Sequence, residues 1–225
     1  MTTNGLITAA MTHYDNVDAN DADNAARRLR VLQYAQEVFD TVYYYREWPW
    51  RYAQGTLTLP VGNFKLKMPA DYHEFGVEGS VVQSSDGFRL EEQPWIKVLA
   101  AQWAGGLPTT FTILEQDVTS GGVGDGIPNI QFGGTVGVDT SYDITYLKTS
   151  PTLLDTTDLT SRLQFIPVAY HQTVLLPGVV ARLKQSEGDS RDWEARYEIG
   201  LARMCVSERP RKTTVQQLPM TVNNW

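Results

Sequence analysis

Three histidines (His13, His73, His171), one cysteine (Cys205) and 26 acids are the side chains from which this 225-residue chain would have to build an active site or a metal site. Their spacing does not assemble one. The histidines are scattered, with no H-E-x-x-H and no other metal-ligand spacing. His171, beside Tyr170 at the opening of a helix, reads as a packed or surface imidazole. No G-x-S-x-G surrounds a serine, so a hydrolase triad lacks its anchor. Seven glycines fall between Gly121 and Gly137, but without a phosphate-reaching lysine and a following helix the run reads as a mobile loop and not as a phosphate cradle. Asp71 with Glu74, and Glu91 with Glu92, resemble the paired carboxylates of a glycosidase. Glu91 and Glu92 are neighbours in a strand pattern and point to opposite faces, and both pairs read as solvated surface charge. Cys205 has no neighbouring base and reads as a small buried hydrophobe. No catalytic, cofactor-binding or metal-binding residue is assigned, no cofactor is expected, and the chain is expected not to be an enzyme.

The charge balance narrows the partners. The net charge is −7, which is not the footprint of a protein that grips duplex DNA. Residues 1–68 are neutral, residues 69–160 carry a net −10 and residues 161–225 a net +3. One cysteine cannot form an intrachain disulfide. No apolar run approaches the roughly 18 residues of a membrane span, and the first basic residue is Arg27, too late for the charged start of a secretory signal. A soluble, unexported protein with no membrane partner is expected.

The elements follow from periodicity. A helix opens at Asp21 or Asp23 as N-cap and carries Ala25, Leu29, Leu32, Phe39, Val42 and Tyr43 at helical spacing. It is expected to reach about Glu47, before Pro49 stops it. Seven aromatics lie between Phe39 and Tyr52, a concentration expected to plug the junction between this helix and the next layer. From Thr56 the period becomes two: Leu57 and Leu59, then Pro60-Val61-Gly62-Asn63, then Phe64, Leu66 and Met68, which reads as a β-hairpin. Further strands are predicted over 76–83, 88–92, 109–115, 127–132 and 141–148. Residues 94–104 read as a short helix with Trp95, Leu99 and Trp103 on one face. A helix returns near Pro167 and is expected to kink or split at Pro177-Gly178. After a turn at Glu187-Gly188-Asp189, Ser190 caps a last helix with Trp193, Tyr197, Leu201 and Met204 on one face, ending before Pro210.

These elements define an α+β fold: an antiparallel helical bundle formed by N- and C-terminal helices, with an inserted antiparallel β-sandwich or barrel-like region and an extended C-terminal arm. The corresponding divisions are an N-terminal segment (1–20) expected to order only in an assembly, a helical bundle domain (21–54 plus 163–208), a β domain (55–162) and the arm (209–225). The arm carries Arg209, Arg211 and Lys212 and then spaced apolar groups, among them Leu218, Met220 and Trp225. It has no core of its own and could order by laying these six side chains on a partner.

The order of segments resembles the head-to-tail adaptor (connector) proteins of tailed bacteriophages, of the tail tubular protein A type. The matching features are Arg27 to Trp50, a helix closing in the aromatic E-W-P-W; Leu66-Lys-Met-Pro-Ala-Asp-Tyr72; Gly106-Leu-Pro108 before Phe111 and Ile113; Tyr142-Asp-Ile-Thr-Tyr146 before Pro151; Tyr170-His171; and Trp193 with Tyr197. The resemblance spans about residues 20–208; the stretch Ser120–Gly137 and the tail after Lys212 depart from it. It implies a structural virion protein made in the host cytoplasm. Such a protein forms a homo-oligomeric ring, twelvefold, between the portal protein and a downstream tail or nozzle protein, and DNA passes through its lumen without sequence-specific binding. An acidic middle third beside the channel would repel phosphate and let DNA slide. The alternative is a carbohydrate-binding β module of a phage tail or host-recognition protein, with Trp95, Trp103 or Tyr142 stacking on sugar rings. A third reading, a degradative tail enzyme, rests only on the acidic pairs.

Overall fold

The computed structural model describes residues 1–15, 24–104, 106–114, 126–154, 163, 166–185 and 188–208. Among them the fold is mixed: five α-helices and two four-stranded sheets, neither closed into a barrel.

Helix α2 (Asn24–Tyr44) buries Val31, Ala35, Val38, Phe39 and Val42, one helical stripe. It stops three residues short of Glu47 because the chain supplies its own terminator. The Trp48 indole Nε1 donates to the Val42 carbonyl at 2.6 Å, filling an acceptor that a helix end leaves open, and Pro49–Arg51 turns as a 3₁₀ element. The expected caps at Asp21 and Asp23 lie outside the described residues.

The returning helix opens as a π-helical turn, His171–Leu175, and continues as α4 (Leu176–Gln185). Of the kink or split expected at Pro177-Gly178, no split occurs: the helix changes from π to α at Leu176, directly before the pair. The Leu176 amide bonds the His171 carbonyl, five residues back, and Pro177 then falls in the first turn of α4, where a missing N–H costs little. Gly178 serves packing: a Cβ there would lie 2.7 Å from Val38 and 2.9 Å from Tyr197, the latter on α5 (Arg191–Ser207). On α5 the inner face is the expected one, with Leu201 and Met204 buried and Trp193 and Tyr197 partly so. Ser190, however, makes no side-chain capping bond; its backbone is helical (φ −88, ψ −18) instead of extended, so its hydroxyl is not aimed at the free amides.

The expectation that residues 1–20 lack structure of their own is overturned for the first fifteen. They form α1 (Thr3–Asp15), whose Leu6, Ile7 and Ala10 are fully buried, and α1 packs on α2 and α4. The four helices share one apolar core that also takes in Trp48, Leu163 and Ile166.

In the first sheet the nine-residue β8 (Thr140–Lys148) pairs antiparallel along its length with β1 (Tyr52–Leu59), from Tyr52 opposite Leu147 to Leu59 opposite Thr140. It also pairs with β3 (Tyr72–Glu74) and β4 (Ser80–Gln83). The second sheet runs β2-β7-β6-β5, with β2 at Lys65–Lys67, β7 at Asn129–Phe132, β6 at Thr110–Leu114 and β5 at Glu91–Glu92. The predicted hairpin is therefore wrong: β1 and β2 belong to different sheets. The Pro60–Asn63 turn is bound away from its own strands, the Val61 amide to Asp139 Oδ1 (2.9 Å) and the Gly62 amide to the Val136 carbonyl (3.2 Å). The all-antiparallel expectation also fails at one place. β5 and β6 are parallel, because helix α3 (Trp95–Ala104) between them is a crossover that returns the chain in the same direction. Both sheets bury side chains in one apolar layer that includes Leu59, Met68, Phe111, Ile130 and Ile144. Within it Phe132 of the second sheet meets Tyr142 of the first at 4.8 Å between ring centroids.

Part of the glycine run is packed and not loose. A Cβ on Gly133 would lie 2.3 Å from the Thr110 hydroxyl, and one on Gly134 2.5 Å from the Gly106 carbonyl. Residues 115–125 lie outside the described chain.

Candidate functional surfaces

The aromatic cluster does sit between the helices and the first sheet. Phe39, Tyr43 and Trp48 are buried, and Trp48 stacks on Trp50 at 5.9 Å; Tyr44 and Tyr45 are exposed. At its centre is a residue that no motif announced. Arg51 is 2% exposed, its guanidinium lying 4.8 Å from the Tyr43 ring and 5.0 Å from the Tyr44 ring. It makes long hydrogen bonds to the carbonyls of Arg46 (3.4 Å) and Lys148 (3.5 Å). The pair ties the exit of α2 to the end of β8, and the flanking rings supply much of the stabilisation an ion partner otherwise would. Burial pushes the Tyr43 hydroxyl up to about 12, against the pull of Arg51. The only hint in the sequence is an arginine directly after W-P-W.

His171 is 1% exposed. Its Nε2 lies 2.7 Å from the Ile166 carbonyl and 2.9 Å from that of Leu163, so this nitrogen carries the proton and Nδ1 is the acceptor facing the Met1 amine at 3.1 Å. The packed-imidazole reading is thus realised. Burial lowers its pKa, with the Met1 ammonium acting in the same direction and the two carbonyls opposing. An unfolded histidine titrates near about 6.5, so below that pH the unfolded chain takes up the proton more readily. Stability is expected to be level above about pH 6.5 and to fall as pH drops through that value. Urea midpoints at pH 7.5 and 5.5 check this: the decrease should be smaller in His171→Gln than in the parent chain.

The carboxylate pairs do not converge. Asp71 Oδ1 accepts the Tyr146 hydroxyl at 2.8 Å, and burial together with that carboxylate raises the Tyr146 pKa, keeping it a donor. Glu74 sits 3.7 Å from His73 at the surface. Glu91 and Glu92 are both exposed on the edge strand β5. Cys205 is partly buried on α5, and its carbonyl receives the Arg46 guanidinium at 3.1 Å. Among the described residues no three His, Cys, Asp or Glu side chains gather as a metal site.

The aromatic candidates divide. Tyr142 is fully buried and cannot stack on a sugar. Trp95, Ile96 and Trp103 of α3 are 53%, 61% and 82% exposed, and Leu107 just beyond is exposed as well. Of the expected stripe Trp95 and Trp103 face out, whereas Leu99 between them is half-buried. α3 turns Val98 inward, because Gly133 of the adjacent strand end leaves room for Ala101 at 3.2 Å from its Cβ position, so the two tryptophans face out.

A second feature lies on the helices. Between α1, the π-turn and α5 runs a groove of about 590 Å³ floored by Leu176, Gly200 and Trp193 and edged by His13, Arg196 and Arg203. The Arg196 guanidinium covers the Trp193 ring at 4.8 Å. The predicted partner-binding residues Arg209, Arg211, Lys212, Leu218, Met220 and Trp225 lie outside the described residues. Among the described residues no helix is long and apolar enough to cross a membrane.

Comparison with protein-family models found no match, and comparison with curated proteins found none.

Proposed function

We propose that this chain is a structural virion protein: a ring-forming head-to-tail adaptor that joins a portal to a tail and forms part of the DNA conduit. In this reading the helices act as an antiparallel bundle, the two sheets as a sandwich projecting from it, and the product is a homo-oligomer, a dodecamer in the family it resembles. The observation that carries the proposal is the outward face of α3. Two tryptophans and an isoleucine left in water on one short helix mark a protein interface far more readily than a monomer surface. Two further features support it. Between Asp71 and Asp143 eight described acids are exposed against Arg89 and Lys97, a surface that would let DNA pass without holding it. The side chains most often used in catalysis are either buried in packing, like His171, or dispersed.

Mixing the protein with its cognate portal and weighing the products by mass photometry tests the proposal. A portal carrying a full ring of this chain is the expected result, and monomers that never join the portal would overturn it. Truncation after Glu208 is expected to weaken portal docking by tenfold or more, about the affinity carried by one or two buried anchor residues; unchanged binding would remove the arm from the interface.

The exposure of Trp95 and Trp103 also favours a second reading, a carbohydrate-binding module. Their positions eight residues apart on a helix put about 12 Å between them along its axis, and a glycan array without hits would dispose of that reading.

A further inference from the structure

We propose that the groove between α1 and α5 of one copy receives the outward α3 face of a second copy, so that the chain assembles head to tail. The inference rests on the reading of this protein as a self-assembling component and names the two surfaces that meet. They are complementary in shape and charge. The groove offers an apolar floor, with Trp193 and Leu176, and the two guanidinium groups of Arg196 and Arg203 at its edge; no acidic side chain lines it. Among the described residues neither Arg196 nor Arg203 has a carboxylate partner. The α3 surface offers the reverse. Trp95, Ile96 and Trp103 form the apolar knob, and Glu91, on the α3 side of β5 with its register partner Thr110, stands exposed just before the helix. Lys97, two residues after Trp95, is turned roughly 200° around the helix from it.

An acidic, aromatic knob and a basic, apolar slot on the same chain are the two halves of a heterologous interface. α3 packs on β6 and β7, whereas the groove belongs to α1, the π-turn and α5, so each copy keeps one half free after using the other. Such a contact propagates and closes into a ring when the rotation per copy allows it. The apolar parts supply the driving force, and the charges set orientation and reject the wrong pairing.

Charge reversal in two separate variants tests the pairing in the full-length chain, by sedimentation velocity over a range of concentrations. Arg196→Glu with Arg203→Glu makes the slot acidic; Glu91→Lys makes the knob basic, and Glu92→Lys, on the opposite face of β5, is the control expected to leave assembly unchanged. The three reversed side chains and Glu92 are all exposed, and circular dichroism checks that each variant is folded. The parent is expected to form concentration-dependent oligomers and the slot or knob reversal alone to weaken self-association by about tenfold or more, through like charges facing each other. An equimolar mixture is expected to recover assembly, because the reversed slot of one variant faces the reversed knob of the other, and the unaltered surfaces also match. Trp103→Ser is an independent third variant, expected to be as impaired as the charge reversals.

A parent chain that stays monomeric at every concentration, slot and knob reversals that leave its oligomers unchanged, or a mixture that fails to recover would each overturn the proposal. Adding the portal to the same samples separates this inference from the adaptor reading. Portal rings decorated by both reversed variants as well as by the parent keep the adaptor and discard this interface. Oligomers that depend on the two surfaces yet ignore the portal keep the interface and discard the adaptor.

Discussion

Replacing Trp48 with alanine is expected to lower the stability of the protein by about 3–5 kcal/mol, the range for deleting a fully buried large aromatic. The size follows from how many parts meet at this one ring. Trp48 has no exposed surface and stacks on Trp50. It lies beneath the Arg46 guanidinium at 5.1 Å, and its indole N–H closes the end of α2 through the Val42 carbonyl. Arg46 in turn reaches the Cys205 carbonyl of α5. Alanine would leave a void at the junction of helices and sheet, leave the Val42 carbonyl with only its long 3.4 Å bond from the Tyr45 amide and release Arg46 from its ring. Urea denaturation measures the loss, and Trp103→Ala supplies the contrast: that ring stands in solvent, so the change should stay within about 0.5 kcal/mol. Equal losses in the two variants would show that Trp48 has no special place in the fold.

Gly200→Ala is the second large effect. A Cβ at Gly200 would come within 2.0 Å of the Thr173 carbonyl oxygen and 3.2 Å of Val174. The obstacle is backbone, so no rotamer change relieves it, and α5 must move off the π-turn. Overpacking of this kind costs about 1–3 kcal/mol, and valine should cost more than alanine. Gly137→Ala is the matched control, since nothing lies within 4 Å of the added methyl and its φ is not positive. The same displacement would lift the floor of the α1–α5 groove. Gly200→Ala is therefore expected to weaken self-association in parallel with stability, whereas Trp48→Ala should act on stability alone. Thermal unfolding and sedimentation of the two variants side by side give both readings.

Local signals in the sequence located α2, α3, α5 and the strands β6 to β8, because a stripe at helical spacing or a β-branched alternation is written within one segment. What the sequence left open was decided by distant partners. Leu57, Leu59, Leu66 and Met68 alternate as strands should, yet their pairing with β8 and β7 depends on Asp139 and Val136, some seventy residues on. α3 carries its tryptophans on the expected stripe, but which side of a helix faces the sheet depends on where small residues such as Gly133 make room. α1 escaped notice because Leu6, Ile7 and Ala10 are a thin stripe among threonines, alanines and methionines, adequate only against helices that arrive later in the chain. Arg51 and the α1–α5 groove were illegible for the same reason: each is made by segments far apart in sequence. The acidic pairs were readable as surface charge, and Asp71 shows why, since its carboxylate holds a tyrosine in place and faces no second acid.

The pairing of Tyr52 with Leu147 puts the entrance and exit of the whole β portion side by side on adjacent strands, with Arg51 fastening the two ends through the Lys148 carbonyl. A stretch of nearly a hundred residues thus leaves and rejoins the helices at one double-stranded stem, beside which the Val77 amide bonds Glu47 and His73 meets the Tyr44 ring. Such a stem is a natural splice point. A foreign module whose termini lie as close together could be grafted there in place of the native one, and a short peptide bridge across the stem could yield a helices-only miniature.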